Sequence, residues 1–524
     1  MDTTHDGIIL GSGHNSLVLQ AYLCRAGLDV VCLEQSQTVG GGLRTEDHRG
    51  FLHNTHSFYH RALTHAPWYE DLELARRGAR YVEPELNVVL LTRDGCALEW
   101  WTDFEKTVES FARVDRRDAD RLRYWRDAFR PIVQRILIPE AQAPPRPPEE
   151  RLRALAGSAE GRLLLETSAC SPREFVRREF RHPLVQAGLL FFNGLREVDL
   201  RAPGFGHHIP ALLASDGKAQ MCVGGSANLA RALVHAIEEY GGRVLASTAP
   251  RRIVVESDRA VGVETEHGQV LGARHFVASG LNPQQTFLDL LDKERVAADW
   301  RSRAEQFRYN VLAPLFGVYA HLSERPKYSI EKEYPHVKNG FMVIMGLGDV
   351  AHFDAIVRHH ERGSIPPAAM WGTCPTLFDP SQAPAGRHAA FMWEKLPYAL
   401  EGDARNWDAA ADAHGRRMME TWAEHAPNMA DVVLETIVRT PLDVERTLPN
   451  MRYGDLLVGS LGHGQVGYNR PFAGAGHYRT CIEGLYLCGS CCHPGGNITG
   501  LPGYNCAQVL GADLRLSVPG LPVR

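Results

Sequence analysis

The chain has 524 residues, enough for two or three domains with cores of their own, and its 44% apolar and 23% charged content is that of an ordinary globular protein. The 57 basic and 62 acidic residues leave a formal charge of −5, which argues against nucleic acid as a partner, and no run approaches the roughly 18 apolar residues of a membrane helix. Eleven cysteines, scattered and odd in number, fit a reduced cytoplasm better than a disulfide framework, and the opening MDTTHDG lacks the basic-then-apolar pattern of a secretory signal.

The first predicted elements are a short apolar strand over residues 6–10, a helix over 16–26 stopped by Gly27, and a second strand over 29–33. Between the first two lies Gly11-Ser12-Gly13-His14-Asn15-Ser16, a near match to G-x-G-x-x-G. Strand, tight turn, helix and strand in one unit form the geometry of a dinucleotide site. Gly11 allows the turn, and Gly13 lets a pyrophosphate approach the free N–H groups of the helix start. The third glycine is replaced by Ser16, which is small and caps a helix. Glu34, with Gln35 beside it, follows Gly13 at close to the roughly 20-residue spacing expected of an acid on ribose hydroxyls. A second cluster, Gly40-Gly41-Gly42 followed by Arg44, suits a backbone loop laid against a diphosphate.

The run GHNSLVLQAYLCRAGLDVVCLEQSQTVGGGLRTE resembles the phytoene-dehydrogenase-related branch of the flavin amine oxidase superfamily, which includes carotenoid desaturases, carotenoid ketolases and retinol saturase. That resemblance implies an α/β fold: a split Rossmann-like FAD-binding domain with an inserted α+β substrate domain. The implied FAD-binding domain is discontinuous, over residues 1–75, 222–290 and 475–524. The substrate domain spans 76–221 and 291–474, with a helical cap around 104–190.

His53, His56, His60 and His65 fall close together, but their spacing is no standard zinc pattern and no Cys or acid lies among them. Ordinary hydrogen-bonding histidines are expected and no metal. A second reading has His56 or Tyr59 facing the substrate as acid, base or polar anchor. Residues 81–103 alternate apolar with polar around Asp94-Gly95, a hairpin signal. Residues 104–137 read as charged helix, 139–150 (PEAQAPPRPPEE) as an exposed linker or lid edge, and 151–192 as helix again before an Asn193-Gly194 turn. Arg196, Glu197, Asp199, His207 and His208 then form either a cap over the substrate, with His207 in the pocket, or a surface ion-pair loop.

Gly224-Gly225-Ser226 opens a helix followed by four strand-like runs to residue 279, which the resemblance makes the second part of the nucleotide domain. The same resemblance puts the backbone of Pro250 against adenine. Trp393, on the apolar run Phe391-Met392-Trp393, is a pocket candidate. Near the end, Gly484 to Gly489 forms a strand ending in glycine, and His493 to Ala507 is a glycine-rich turn feeding a helix. It looks like the family's C-terminal flavin block, which implies cofactor contacts from Gly489, Gly495, Gly496, Asn497 and Ile498. The family commonly has glycine at the position of Asn497 and a basic or small residue at that of Tyr504. Cys488, Cys491 and Cys492 suggest a redox pair, but a buried strand end is the favoured reading.

The expected activity is dehydrogenation of a carbon–carbon bond in a largely apolar, terpenoid-like or alicyclic substrate, with hydride passing to the flavin of non-covalent FAD. His56, Tyr59 and Tyr504 are the candidate catalytic residues. The absence of a second glycine fingerprint points to O2, a quinone or a redox protein as electron acceptor. Three alternatives stand beside this: an amine or amino-acid oxidase, a redox-neutral isomerase or hydratase, and a non-catalytic partner subunit. The expected location is the cytoplasm, with peripheral membrane contact through the helical stretch left open.

Overall fold

The structure is a computed structural model that describes residues 3–192 and 198–522. Asn193, Gly194, Arg196 and Glu197 lie outside the described residues.

Two seven-stranded sheets organise the described chain. The first runs in the order Arg243–Leu245, Val30–Leu33, Thr3–Leu10, Val270–Ser279, Arg259–Thr265, Pro250–Glu256, and Leu485–Leu487 pairs with the far end of Val270–Ser279. Pairing around Thr3–Leu10 is parallel on both sides. Its residues Ile8, Ile9 and Leu10 are fully buried, as expected of a central parallel strand covered on both faces. This is the split Rossmann-like sheet, with strands drawn from the beginning, the middle and the end of the sequence.

The helix His14–Arg25 is buried along nearly its whole length, with Leu17, Val18, Leu19, Ala21, Tyr22 and Leu23 inaccessible. It is clamped between Ala227–Glu239 and Leu501–Asp513. The second contact requires a glycine: a Cβ on Gly503 would lie 1.9 Å from the Asn15 carbonyl oxygen. The last helix therefore meets the first one backbone to backbone.

The second sheet has the order Val433–Arg439, Leu315–Leu322, His388–Lys395, Met370–Thr373, Met342–Met345, Leu86–Leu91, Ala97–Trp101. The hairpin expected at Asp94-Gly95 joins its last two strands. The strand His388–Lys395 is buried on both faces, and alternation divides its side chains between two cores. Phe391 and Trp393 pack with the helical cap, while Ala390 and Met392 pack under the helix Trp407–His425.

The cap comprises helices from Phe104–Ala112 to His208–Ala214 around a core containing Trp125, Phe129 and Phe175. Side-chain caps start several of them: Asp115 on Arg116–Ile132, Ser158 on Ala159–Ala169, and a Ser171/Glu174 capping box on Pro172–Glu179. The expectation of an irregular linker over 139–150 holds for 142–147 and needs correction at both ends. Helical backbone continues through Val133–Leu137 and Ile138–Ala141, and Pro148–Ala156 begins on a proline. Proline is tolerated in a first helical turn, where its missing N–H would have had no partner. The joint is also tied down. The carbonyls of Glu140, Ala141 and Gln142 accept from His493 Nε2, Asn505 Nδ2 and Gln508 Nε2 at 2.9 Å each, given the Nε2–H form of His493. Among the described residues no helix is long and apolar enough to cross a membrane.

Candidate active site

One cavity runs from the first sheet to the second and holds about 1670 Å³ of empty space, part of it open to solvent. Its first wall is the turn after Thr3–Leu10. Gly11, Gly13, His14, Asn15 and Ser16 all line it. Gly11 has φ +80°, the left-handed conformation that a tight strand-to-helix turn needs. The helix His14–Arg25 has no side-chain cap, so its first N–H groups are available to an anion.

Glu34 and Gln35 line the cavity at the end of Val30–Leu33. Glu34 Oε2 accepts from Ser12 N at 2.9 Å and Ser12 Oγ at 2.7 Å, and Oε1 accepts from Ser36 N at 2.8 Å. The carboxylate is thus fixed across the turn, and Oε1 keeps a lone pair for a further donor. Gly41, Gly42 and Pro250 complete this part.

The C-terminal segment supplies Gly489, Ser490, Asn497 and Ile498. Asn15 Nδ2 donates to Ser490 Oγ at 3.0 Å and so couples the two ends of the sequence. Asn497 has φ +71°, which explains how asparagine replaces the glycine common at this point: asparagine tolerates the left-handed region better than most L residues.

The other wall belongs to the second sheet and the segment leading to it. His56, Ser57, Phe58 and Tyr59 line it, with Leu315, Trp371, Trp393 and Lys395. Trp371 and Trp393 are cross-strand partners with ring centroids 6.3 Å apart. Trp393 Nε1 donates to Tyr319 Oη at 3.0 Å, and Tyr59 stands edge-on to Trp393 at 5.9 Å. Lys395 is buried, and its ammonium donates to the Ala313 carbonyl. Sequence reasoning passed over Trp371 and Lys395. Lys395 was within reach, since it stands two residues after Trp393 in one strand and so shares its face.

Five expected residues are not on the cavity wall. Tyr504 is turned into the helix–helix contact, where its ring meets Tyr22 edge-on at 5.5 Å. His207 lies within the cap, its Nδ1 2.9 Å from Ser168 Oγ. Arg44 sits beyond Gly42 with its guanidinium beside Glu46, at 3.6 Å. Gly495 packs near the buried Arg470 guanidinium and Gly496 against the Leu457 carbonyl. Both lie behind the lining segment 497–498. The clustered histidines are also dispersed. His53 stacks on His321, and His60 Nδ1 is 2.8 Å from Tyr81 Oη.

Electrostatically, both histidines on the wall are neutral at pH 7. Burial pushes His14 down to about 4 despite a backbone hydrogen bond at Asn497. Burial does the same to His56, aided by Arg44 and Arg439 against an opposing pull from Glu46. His14 Nε2, Asn15 Oδ1 and His56 Nε2 are buried without a hydrogen-bond partner. The first two, beside a glycine turn and a bare helix start, are what a bound dinucleotide would satisfy. The residues present therefore fit one, with Glu34 at the ribose position.

The fold and this wall are in keeping with a dinucleotide-binding oxidoreductase. Residues 9–72 match the NAD(P)-binding Rossmann-like domain family, a stretch that covers the nucleotide fingerprint NAD and FAD proteins share. The chain is 29% identical to a limonene dehydrogenase subunit of Castellaniella defragrans over 98% of its length and 95% of that protein. It is 22% identical to a neurosporene-forming phytoene desaturase of Cereibacter sphaeroides over 54% of this chain and 51% of the relative. A putrescine oxidase structure has the same fold, with a TM-score of 0.60, 12% identity and coverage of 98% and 99%. The chain is thus similar over nearly its whole length to a limonene dehydrogenase subunit and over about half of it to a phytoene desaturase, and it shares the fold of an amine oxidase, an FAD-binding fold family.

Proposed function

We propose that this protein is an FAD-dependent dehydrogenase that introduces a carbon–carbon double bond into a compact, largely apolar substrate. One observation carries the reading: a single cavity joins the glycine turn and Glu34 to an aromatic box of Phe58, Tyr59, Trp371 and Trp393. Gly13, Asn15, Glu34, Pro250 and Asn497 would hold the dinucleotide. When bound, an oxidised flavin accepts a hydride at N5. The aromatic walls exclude water and orient a hydrocarbon by shape.

The acids on the wall, Glu34, Glu266 and Asp289, belong to the nucleotide side, and the box itself holds Lys395. A substrate ammonium would meet a like charge there and find no carboxylate, which favours a neutral substrate over an amine. The dehydrogenase needs an electron acceptor. O2, a quinone or a protein partner would each serve, the last in keeping with the Castellaniella relative's being one subunit of its enzyme.

The test is anaerobic. Purified yellow protein is mixed with limonene, related monocyclic hydrocarbons, linear polyenes and an amine panel, and flavin bleaching is followed optically. Bleaching by a cyclic hydrocarbon, with a product two mass units lighter, is expected. Bleaching by amines alone would replace this reading with an amine oxidase, and an unchanged or water-shifted product mass would replace it with a redox-neutral enzyme.

A further inference from the structure

Immediately before the aromatic box in the sequence, the wall carries a short chain of polar groups. It begins at Glu46, in the hairpin Thr45–His48 and Phe51–Asn54. Thr55 Oγ1 donates to Glu46 Oε1 at 3.4 Å. His56 Nδ1 lies 3.0 Å from the same hydroxyl oxygen. A hydroxyl has one hydrogen; directed to the carboxylate, whose negative charge makes it the stronger acceptor, it is not available to the nearer Nδ1. Oγ1 is then an acceptor, and the group facing it must be Nδ1–H. In that arrangement the imidazole carries its lone pair on Nε2. That nitrogen is buried and without a partner, on a residue of the cavity wall.

The carboxylate end of the chain is held in its charged form. Burial alone would raise the Glu46 carboxyl, but the charge and hydrogen bond of Arg439, with His48 and Arg44, outweigh it and hold it below its ordinary value. Arg439 reaches it from the neighbouring strand Val433–Arg439, and His48 Nε2 lies 3.4 Å away. The charged groups acting on the His56 ring are Arg44 and Glu46 from the hairpin side and Arg439 from the second sheet.

We propose that Glu46 and Thr55 orient His56 so that its Nε2 takes the proton released when the substrate is dehydrogenated; the inference rests on the function proposed above. The oxidation breaks two C–H bonds and makes one C=C bond. One hydrogen leaves with its electron pair to the flavin, and the other leaves the adjacent carbon as a proton to Nε2, from which water removes it once the product has left. A weak base is adequate for this, because a C–H bond beside a carbon losing hydride is strongly acidified. On protonation, both ring nitrogens become donors, and the Glu46 carboxylate, one hydroxyl away, stabilises the new charge. His56 is then the catalytic residue, and Thr55 and Glu46 are positioning residues.

The experiment uses the FAD-loaded protein with its imidazoles labelled with 15N, His56 being assigned by its loss in His56→Gln. At pH 7 the His56 Nε2 resonance is expected in the unprotonated range and Nδ1 in the N–H range. Thr55→Val should collapse that distinction, and Thr55→Ser should restore it. With the compound that bleaches the flavin fastest, His56→Gln should slow flavin reduction by about a hundredfold or more with bound FAD unchanged. Thr55→Val should slow it about tenfold and Thr55→Ser leave it near wild type. An Nε2–H tautomer in the wild type, an unchanged tautomer in Thr55→Val, or wild-type reduction by His56→Gln would each overturn the proposal. If no compound bleaches the wild type, the dehydrogenase reading fails and the base role of His56 with it, while bleaching with an Nε2–H tautomer overturns the base role alone.

Discussion

Asn15 and Trp393 line one cavity from two different sheets, and they are held there by different means. Asn15 is set by backbone: the glycine turn before it, the Gly503 contact on its carbonyl, and one hydrogen bond to Ser490. Trp393 is set by side chains: the Tyr319 hydroxyl, the facing Trp371, and Tyr59. A wall made of backbone presents N–H groups whatever the surrounding side chains are, which suits a fixed cofactor. A wall made of side chains can be reshaped one residue at a time, which suits a substrate. Affinity for FAD and choice of substrate should therefore be separable by mutation.

Acid is the strongest challenge to that separation. Burial, the first cause for each, lowers His14, His56 and His493 to about 4 and His53 and His60 to about 3. The unfolded rings titrate near 6.5, so the unfolded state binds more protons between the two values. Their contribution to stability is complete above pH 6.5 and is lost as pH falls toward 4. Each fully buried ring accounts for on the order of 3 kcal/mol. Together they exceed the margin of a typical domain, so unfolding is expected well above pH 4. His14 and His493 serve the nucleotide side, and His53, His56 and His60 the junction. Flavin release and loss of the near-ultraviolet signal should coincide. Release at a pH where the tryptophan signal is intact would show the two walls to be independent units.

Gly503→Val puts a Cβ against the Asn15 carbonyl, which cannot move without its helix. We expect a loss of about 3 kcal/mol or more and protein with little bound flavin, read by melting temperature and by flavin absorbance. Full flavin content would mean the backbone wall yields. Glu34→Gln weakens a charged acceptor, which carries about 1.5–3 kcal/mol. FAD affinity should fall roughly ten- to a hundredfold in a fluorescence titration, while the ratio of rates between two substrates stays fixed. Trp393→Phe removes the indole N–H bond to Tyr319, worth about 0.5–1.5 kcal/mol. Here the substrate ratio should shift roughly two- to tenfold, with FAD affinity unmoved.

The same contrast governs what could be read from the amino acids. The split α/β fold was legible because glycine spacing and the Glu34 register record a backbone path. Gly11, Gly13, Glu34, Pro250 and Asn497 are on the cavity wall because that path leaves them little choice. Tyr504 was misjudged for the opposite reason. It belongs to a glycine-rich block near the cavity, but the face of Leu501–Asp513 that carries it is decided by Tyr22 on another helix. His207 was drawn to the pocket by composition alone, and Ser168 holds it in the cap. Trp371 gave no local signal. It reaches the cavity only because Met370–Thr373 pairs with His388–Lys395, a register set by the whole sheet.

The edge strand Leu485–Leu487 carries a consequence for biosynthesis. It completes the sheet begun by Thr3–Leu10, and the helix behind it supplies Gly503 to the first helix. At 5–20 residues per second the ribosome needs roughly 25 to 95 s to travel from one strand to the other. Through that interval the nascent nucleotide sheet has an open edge, and the first helix has one greasy flank uncovered. The chain emerging from the exit tunnel therefore exposes apolar surface, of the kind chaperones bind, until that strand is out.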